Sequence, residues 1–378
     1  MSEEKFCASV WHHMNINNRG QVKPCCIFRN GKIPNDNENI FDWYETAYND
    51  VKSQGLEHKG CELCYKQEQN NIPSRRTWRG NADHIPKSGN GINYIDLSFG
   101  NYCNLKCRMC ESRNSTKWIA DEKYLEKNNF DIEREIFSLY TMSDERLDQI
   151  VNYCNSIDTD SFMLEIKGGE PFVTDQFYNF IHRLNDRFKS ICKIVVFTNG
   201  SGINEEYIDS LKGFKELKIH LSVEGTGKLY EYIRGGNIVT LDKAISNIGK
   251  IIKSVPNTLF SASITVTMYN IFQLKDLHDR ILKEMPKIKE IDPKLFASFS
   301  FNPRYLNPGI LPDKYKNKIK ELYADMPAFD HMIKTLEYFE HDPELMKKFK
   351  DFTLLLDQKR NESIYDVAPE FKEIFDEI

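Results

Sequence analysis

The chain has no apolar run fit to span a membrane: its longest reach about five residues, against the ~20 that a spanning helix needs. Its beginning, MSEEKFCASV, is acidic and polar and has none of the apolar core of a secretory signal. Neither charge dominates. There are 51 Lys and Arg against 56 Asp and Glu, a net charge of −5, which argues against a dedicated nucleic-acid binder. Heptads, low-complexity tracts and internal repeats are also missing, so coiled coils and solenoids are excluded. These absences lead us to expect a soluble protein of the reducing cytoplasm with no membrane partner.

Cysteine, by contrast, is plentiful. Ten of the 378 residues are cysteines, and eight of the ten lie before residue 111. In a reducing compartment, clustered cysteines read as metal ligands or catalytic groups before disulfides. Cys154 and Cys192 stand alone and read as small core residues. The hydrophobic fraction, 40%, is enough for a sizeable core, and the length allows two domains.

Four regions follow from the patterning. Residues 1–71 hold turn signals (Arg19-Gly20 and Asn30-Gly31), a helical spacing over 40–51 and a Cys61-Glu62-Leu63-Cys64 motif. They form a small hairpin-and-helix domain that needs a staple to be stable. Residues 72–91 read as a linker. It contains Arg75, Arg76, Trp78 and Arg79, which either contact an anionic partner or form a solvated face. Residues 92–302 alternate β-rich runs (92–99, 162–167, 193–198, 217–223, 259–267 and 295–302) with amphipathic helical stretches. That alternation implies parallel β/α units, here a partial (β/α)6, TIM-like barrel with functional loops at the strand C-termini. Residues 303–378 read as a helical extension, with apolar faces over 329–339 and 345–356. Tyr305, just after the sixth run, is expected near the barrel mouth.

Cys103-Asn104-Leu105-Lys106-Cys107-Arg108-Met109-Cys110 follows the first barrel strand. Three thiolates at this spacing can hold a soft metal or a cluster. A structural zinc takes four ligands, so zinc would need one from elsewhere. On a 4Fe–4S cluster, three cysteines leave one iron open to a small molecule. Three further motifs stand at the next strand ends: Gly168-Gly169-Glu170-Pro171, Thr198-Asn199-Gly200, and Ser222-Val223-Glu224-Gly225 with Arg234 beyond it.

In that order the motifs resemble those of the radical S-adenosylmethionine (SAM) superfamily. The resemblance covers about residues 92–302, with Met109 where the family often has an aromatic and Glu224 where Asp is commoner. It implies that Cys103, Cys107 and Cys110 hold a catalytic 4Fe–4S cluster whose open iron chelates SAM. Gly168, Gly169 and Pro171 would line the methionine part, with Glu170 near its ammonium. Asn199 would contribute from the third strand end, Met109 would lie near the adenine, and Ser222 and Glu224 would face the ribose. Arg234 would meet the methionine carboxylate. The chemistry implied is one-electron cleavage of SAM to a 5′-deoxyadenosyl radical, fed by a reducing flavodoxin or ferredoxin.

Cys7, Cys25, Cys61 and Cys64 form a second constellation, which fits either a structural zinc or another cluster. The hairpin with its Cys-Cys segment, followed by a helix and CxxC, resembles the twitch (SPASM-like) module of radical SAM enzymes, here placed before the barrel. That resemblance implies an auxiliary 4Fe–4S cluster and a module folded over the barrel mouth. Period-two alternation allows only one of Cys25 and Cys26 to face inward, and Cys25 is the choice. His12 and His13 read as hairpin-packed or solvated. The expectation is an enzyme with two 4Fe–4S clusters and SAM, acting on a peptide, sugar or other small polar substrate. A radical methyl- or methylthio-transferase and a non-catalytic iron–sulfur protein are the alternatives.

Overall fold

Runs of β-branched and aromatic residues bounded by Gly, Asn and Asp become the strands of one sheet. The computed structural model describes residues 6–69, 74–77, 91–236, 238–284, 299–300 and 302–378. Among them are β1 (His13–Ile16), β2 (Val22–Lys23), β3 (Tyr94–Leu97), β4 (Phe162–Ile166), β5 (Cys192–Thr198), β6 (Glu216–Ser222) and β7 (Leu259–Ser263). The order across the sheet is β2-β1-β3-β4-β5-β6-β7. Only β2 runs antiparallel to its neighbour. Helices such as Asp144–Ser156, Asp175–Arg183 and Leu241–Ser254 make the crossovers. Each parallel connection needs such a segment, which is why strands and helices alternate in the sequence. The fold is thus the expected α/β barrel-type sheet. The sixth expected strand, 295–302, falls largely outside the described residues. Phe299 makes a parallel bridge to Val266, so the chain does return beside β7.

The N-terminal hairpin is part of this sheet. Its turn forms where Arg19-Gly20 predicts one: Asn17 N–H donates to Gln21 O (3.0 Å) and Gly20 takes a φ of 71°. The Asn17 side chain also accepts from the amides of Arg19 and Gln21. β1 then pairs in parallel with β3, His13 opposite Tyr94 and Ile16 opposite Leu97. The hairpin therefore arrives at the mouth as a continuation of the sheet and covers the β3 edge, where unpaired backbone would otherwise be exposed. The helix expected over 40–51 is two helices, Ile40–Ala47 and Asn49–Gln54, because Tyr48 leaves the helical region at φ −121°, ψ 26°.

The core lies between the sheet and its helices. Phe162, Leu164 and Ile166 of β4 are fully buried there, as are Ile194 and Val196 of β5 and Ile219 and Leu221 of β6. Their alternating partners, Glu165, Val195, Phe197, Lys218, His220 and Ser222, point to the other face and are only half-buried. A closed barrel would pack that inner set as tightly as the outer one. Here the inner face, which bounds the lumen, is partly polar and only half-buried.

The C-terminal region is helical, as expected. Its long helix, Pro343–Arg360, starts at the Asp342 cap and ends at Asn361 in the left-handed conformation. Phe349 and Phe352 anchor it in the core. Tyr305 is corrected by this packing. It is 3% exposed, 4.9 Å ring to ring from Phe352 and 5.9 Å from Phe130, so it is a core residue and not a mouth residue. Cys154 and Cys192 are fully buried, as expected. No helix among the described residues is long and apolar enough to cross a membrane.

Candidate cofactor site

The loop after β3 carries Cys103, Cys107 and Cys110 to the C-terminal ends of the strands. There they line a cavity of about 290 Å³ together with Met109, Gly168, Gly169, Glu170, Asn199, Ser222, Glu224 and Arg234. Pro171 lies just outside it, buried at the start of the short turn of helix that Glu170 caps. Thr198, the first residue of the Thr198-Asn199-Gly200 motif, is on the same wall, and sequence reasoning missed three residues there: Asn114, Phe197 and Thr265. Phe197 precedes that motif in the third barrel strand and was findable from it. Asn114 and Thr265 carry no motif.

Local geometry explains the glycine pair. Gly168 has a φ of +85°, and a Cβ there would lie 2.0 Å from Asn18 Oδ1 and 2.4 Å from Ser98 Oγ. At Gly169 it would lie 2.1 Å from the carbonyl oxygen of Tyr102. Neither position has room for a side chain. Asn18 comes from the tip of the β1–β2 hairpin, and its amide donates to Asn114 Oδ1 at 2.5 Å. The hairpin thus buttresses the wall of the cavity.

Glu170 joins three strand ends. Its Oε1 accepts from Thr198 Oγ1 (2.6 Å) and Phe172 N–H (3.2 Å), its Oε2 accepts from Asn199 N–H (2.6 Å), and its own N–H donates to Tyr102 O (2.9 Å). Burial raises its carboxyl and those three donors lower it, and the balance is pushed up to about 7. Glu224 and Arg234 pair with each other at 2.9 Å, both buried. Among the described residues Arg234 Nε has no hydrogen-bond partner, and it lies out of contact with solvent. A buried donor of this kind is costly unless something accepts from it.

Burial raises the thiols of Cys103 (to about 12), Cys107 and Cys110, while Arg234 works in the opposite direction on Cys103 and Cys107. Iron binding would have to displace protons from them. Among the described residues, no three His, Cys, Asp or Glu side chains converge closely enough to hold a single metal ion. The donor set fits a larger group: three thiols on one loop with a cation beside them, and a donor-lined cavity for an anionic ligand.

Cys7, Cys25, Cys61 and Cys64 line a second, narrow cavity with Arg76. Burial raises the Cys7, Cys25 and Cys61 thiols, Cys61 to about 12, and charge repulsion among the four adds to it. Cys26 faces the other way, toward Arg75, Lys167, Asp96 and Glu165. Arg76 is bound to Glu68 and donates to Phe6 O (3.0 Å). Arg75 and Arg76 are therefore drawn into the N-terminal region, while Trp78 and Arg79 lie outside the described residues. His12 bonds Gly91 O (3.1 Å), and His13 stacks on Tyr94 (4.1 Å) with burial pushing its ring down to about 3. Neither histidine lines the cysteine cavity.

Beneath the cofactor cavity, the lumen is polar. Lys167 Nζ lies 2.8 Å from Asp96 Oδ2 and 2.6 Å from Glu165 Oε1, and Tyr94 donates to Glu165. His220 stacks on Phe197 at 4.5 Å, with burial pushing its ring down to about 4.

Residues 97–281 match the Radical SAM superfamily. A GTP 3′,8-cyclase of Clostridium perfringens (strain SM101 / Type A) is 28% identical over 169 residues, 44% of this chain and 45% of the relative. One from Alkaliphilus oremlandii (strain OhILAs) is 24% identical over 60% of this chain and 65% of the relative. The chain thus spans about half the length of these relatives. Among solved structures, anSMEcpe with bound AdoMet is 18% identical, covering 50% of this chain and 49% of that one, with a TM-score of 0.39. Streptococcus suis SuiB bound to S-adenosylmethionine is 16% identical over 82% and 64%, with a TM-score of 0.34. The stretch of this chain from residue 97 to residue 281 is a radical SAM superfamily domain.

Proposed function

We propose that the chain is a radical SAM enzyme that takes hydrogen from a small polar substrate held in the lumen, with an auxiliary 4Fe–4S cluster on its N-terminal cysteines. One observation carries the reading. The three thiols of the Cys103 loop share a cavity with the Gly168-Gly169-Glu170 turn, Ser222 and the Glu224–Arg234 pair. When bound, the cluster and SAM supply reductive cleavage of the sulfonium, giving methionine and a 5′-deoxyadenosyl radical that abstracts hydrogen.

The chain's own residues have separable tasks. The Arg234 guanidinium, on the cavity wall, meets the cofactor's carboxylate, and Glu224 holds it in place. Gly168 and Gly169 let the backbone approach the cofactor closely. Ser222, half-buried at the end of β6, offers a hydroxyl to the ribose. The Asp96–Lys167–Glu165 group and His220 furnish polar contacts to a substrate below. At that level the Asp96 and Glu165 carboxylates are balanced by Lys167 and Arg75, a charge-neutral set that suits a peptide, a sugar or another neutral or zwitterionic molecule; the nucleotide named for the relatives is not carried over. A flavodoxin or ferredoxin supplies the electron.

Four cysteines line one cavity in a module whose hairpin, helix and CxxC resemble a twitch domain, which favours a cluster over zinc. Anaerobically reconstituted protein is expected to hold about eight irons, four per cluster, and to keep about four when Cys103, Cys107 and Cys110 are all replaced by alanine. One tightly held zinc with about four irons would overturn the auxiliary cluster.

A further inference from the structure

Arg108 stands between two cysteines of the cofactor loop, yet its side chain leaves the loop altogether. It is completely buried. Its backbone N–H donates to Ile233 O at 2.7 Å, and its Nε donates to Tyr232 O at 3.2 Å. The guanidinium carbon lies 3.6 Å above the Tyr232 ring. Its NH2 group donates to Asp357 Oδ1 at 2.5 Å and to Glu362 Oε2 at 2.7 Å. Tyr232 OH donates to the same Asp357 oxygen (2.7 Å), and Asp357 Oδ2 accepts from Ile364 N–H (2.7 Å).

Three parts of the chain meet at this one side chain. The first is the cysteine loop. The second is the helix Gly227–Arg234, which ends on the arginine of the cofactor cavity. The third is the end of the long C-terminal helix. We infer that Arg108 is a positioning residue that sets the distance between the three-cysteine loop and Arg234, using the C-terminal helix as its anchor. This rests on the radical SAM reading of the site.

The geometry favours this role over simple core filling. The cluster's open iron and Arg234 would both meet the methionine end of one small molecule, so their separation decides affinity. Arg108 touches neither the cavity nor its contents. It instead bonds the two residues that precede Arg234, and it flanks Cys107 directly. A second fastening runs parallel. Trp118 Nε1 donates to Cys107 O (2.8 Å), and its ring stacks with Phe352 of the long helix at 6.2 Å and 4°. Arg360, near that helix's end, holds Asp121 at 2.8 Å and lies 5.0 Å over Trp118. The C-terminal helix therefore holds the Cys107–Arg108 segment of the loop twice, directly through Arg108 and through Trp118. Only a planar, forked cation can serve Tyr232 O and the two carboxylates together. Lysine would keep the charge and lose the fork.

The test is SAM binding to iron-loaded full-length protein, read by equilibrium dialysis and by the change SAM causes in the electron paramagnetic resonance of the reduced Cys103–Cys107–Cys110 cluster. Arg108→Lys is expected to keep its iron, to bind SAM at least about tenfold more weakly, and to show an altered or absent spectral change. Glu362→Gln, at the partly exposed partner, is expected to do the same by a few-fold and decides the matter if Arg108→Lys does not fold. Wild-type affinity and spectrum in folded Arg108→Lys, or in Glu362→Gln should that variant alone fold, would overturn the inference while leaving the enzyme reading intact. Iron-loaded wild type that neither binds SAM nor changes its spectrum would overturn both.

Discussion

Glu170 shows how much one carboxylate does at this site. Read as a cofactor contact, it is also the knot that ties the ends of β3, β4 and β5. Its ordinary pKa, 4.5, is pushed up to about 7 by burial. Between those two values the folded chain holds a proton that the unfolded chain has lost. Stability from this group is therefore full below about pH 4.5 and falls as pH rises through 7. The shift corresponds to something on the order of 3 kcal/mol. Urea unfolding of metal-free protein is expected to show lower stability at about pH 8 than at about pH 5.5, and Glu170→Gln is expected to flatten that difference. Equal slopes for the two proteins would contradict it. Gly168 and Gly169 are legible at this scale because their motif announces a close approach. That the approach is to Asn18, 150 residues earlier, could not be read, since an asparagine in a turn explains itself locally.

At the scale of elements, the β1–β2 hairpin matters most. Its turn was legible from Arg19-Gly20 and its place in the sheet was not. The strand HMNI is four residues long, mixes polar and apolar side chains, and is buried on both faces. It has no period that would mark it as a partner of β3. The five barrel strands from β3 to β7 were legible because each combines apolar, mostly β-branched or aromatic, residues with turn signals and a helix further along the chain. Tyr305 was misplaced because a position after a strand says nothing about a later helix packing over it. Cys25 lines the four-cysteine cavity and Cys26 does not, but both stand in the turn after β2, so the strand alternation from which only one was expected to face inward is not what separates them.

The hairpin is held by the β1–β3 ladder and by Asn17, and Cys64 lies on the separate helix Glu62–Gln69. Cys64→Ala is therefore expected to lose about four irons yet keep slow, substrate-free conversion of SAM to 5′-deoxyadenosine. Turnover of a true substrate is expected to fall steeply. Circular dichroism and iron content establish that the variant is folded and that the first cluster is in place. If cleavage vanishes as completely as in Cys107→Ala, the N-terminal cysteines belong to the primary electron path.

For the whole molecule, two cysteine-lined cavities accompany a partly polar inner sheet face, and the C-terminal helix packs behind the larger cavity. The cofactor end was legible because its motifs stand at successive strand ends. The substrate end was not, because its side chains come singly from different strands and share no spacing. The central claim is that the Cys103–Cys107–Cys110 loop cleaves SAM by reduction. Its most direct test is the 5′-deoxyadenosine formed by iron-loaded protein with SAM and dithionite under anaerobic conditions. Wild type is expected to yield 5′-deoxyadenosine with matching methionine, and Cys107→Ala to yield none. Wild type whose cluster is loaded and demonstrably reduced, and which still forms no 5′-deoxyadenosine, would contradict the account.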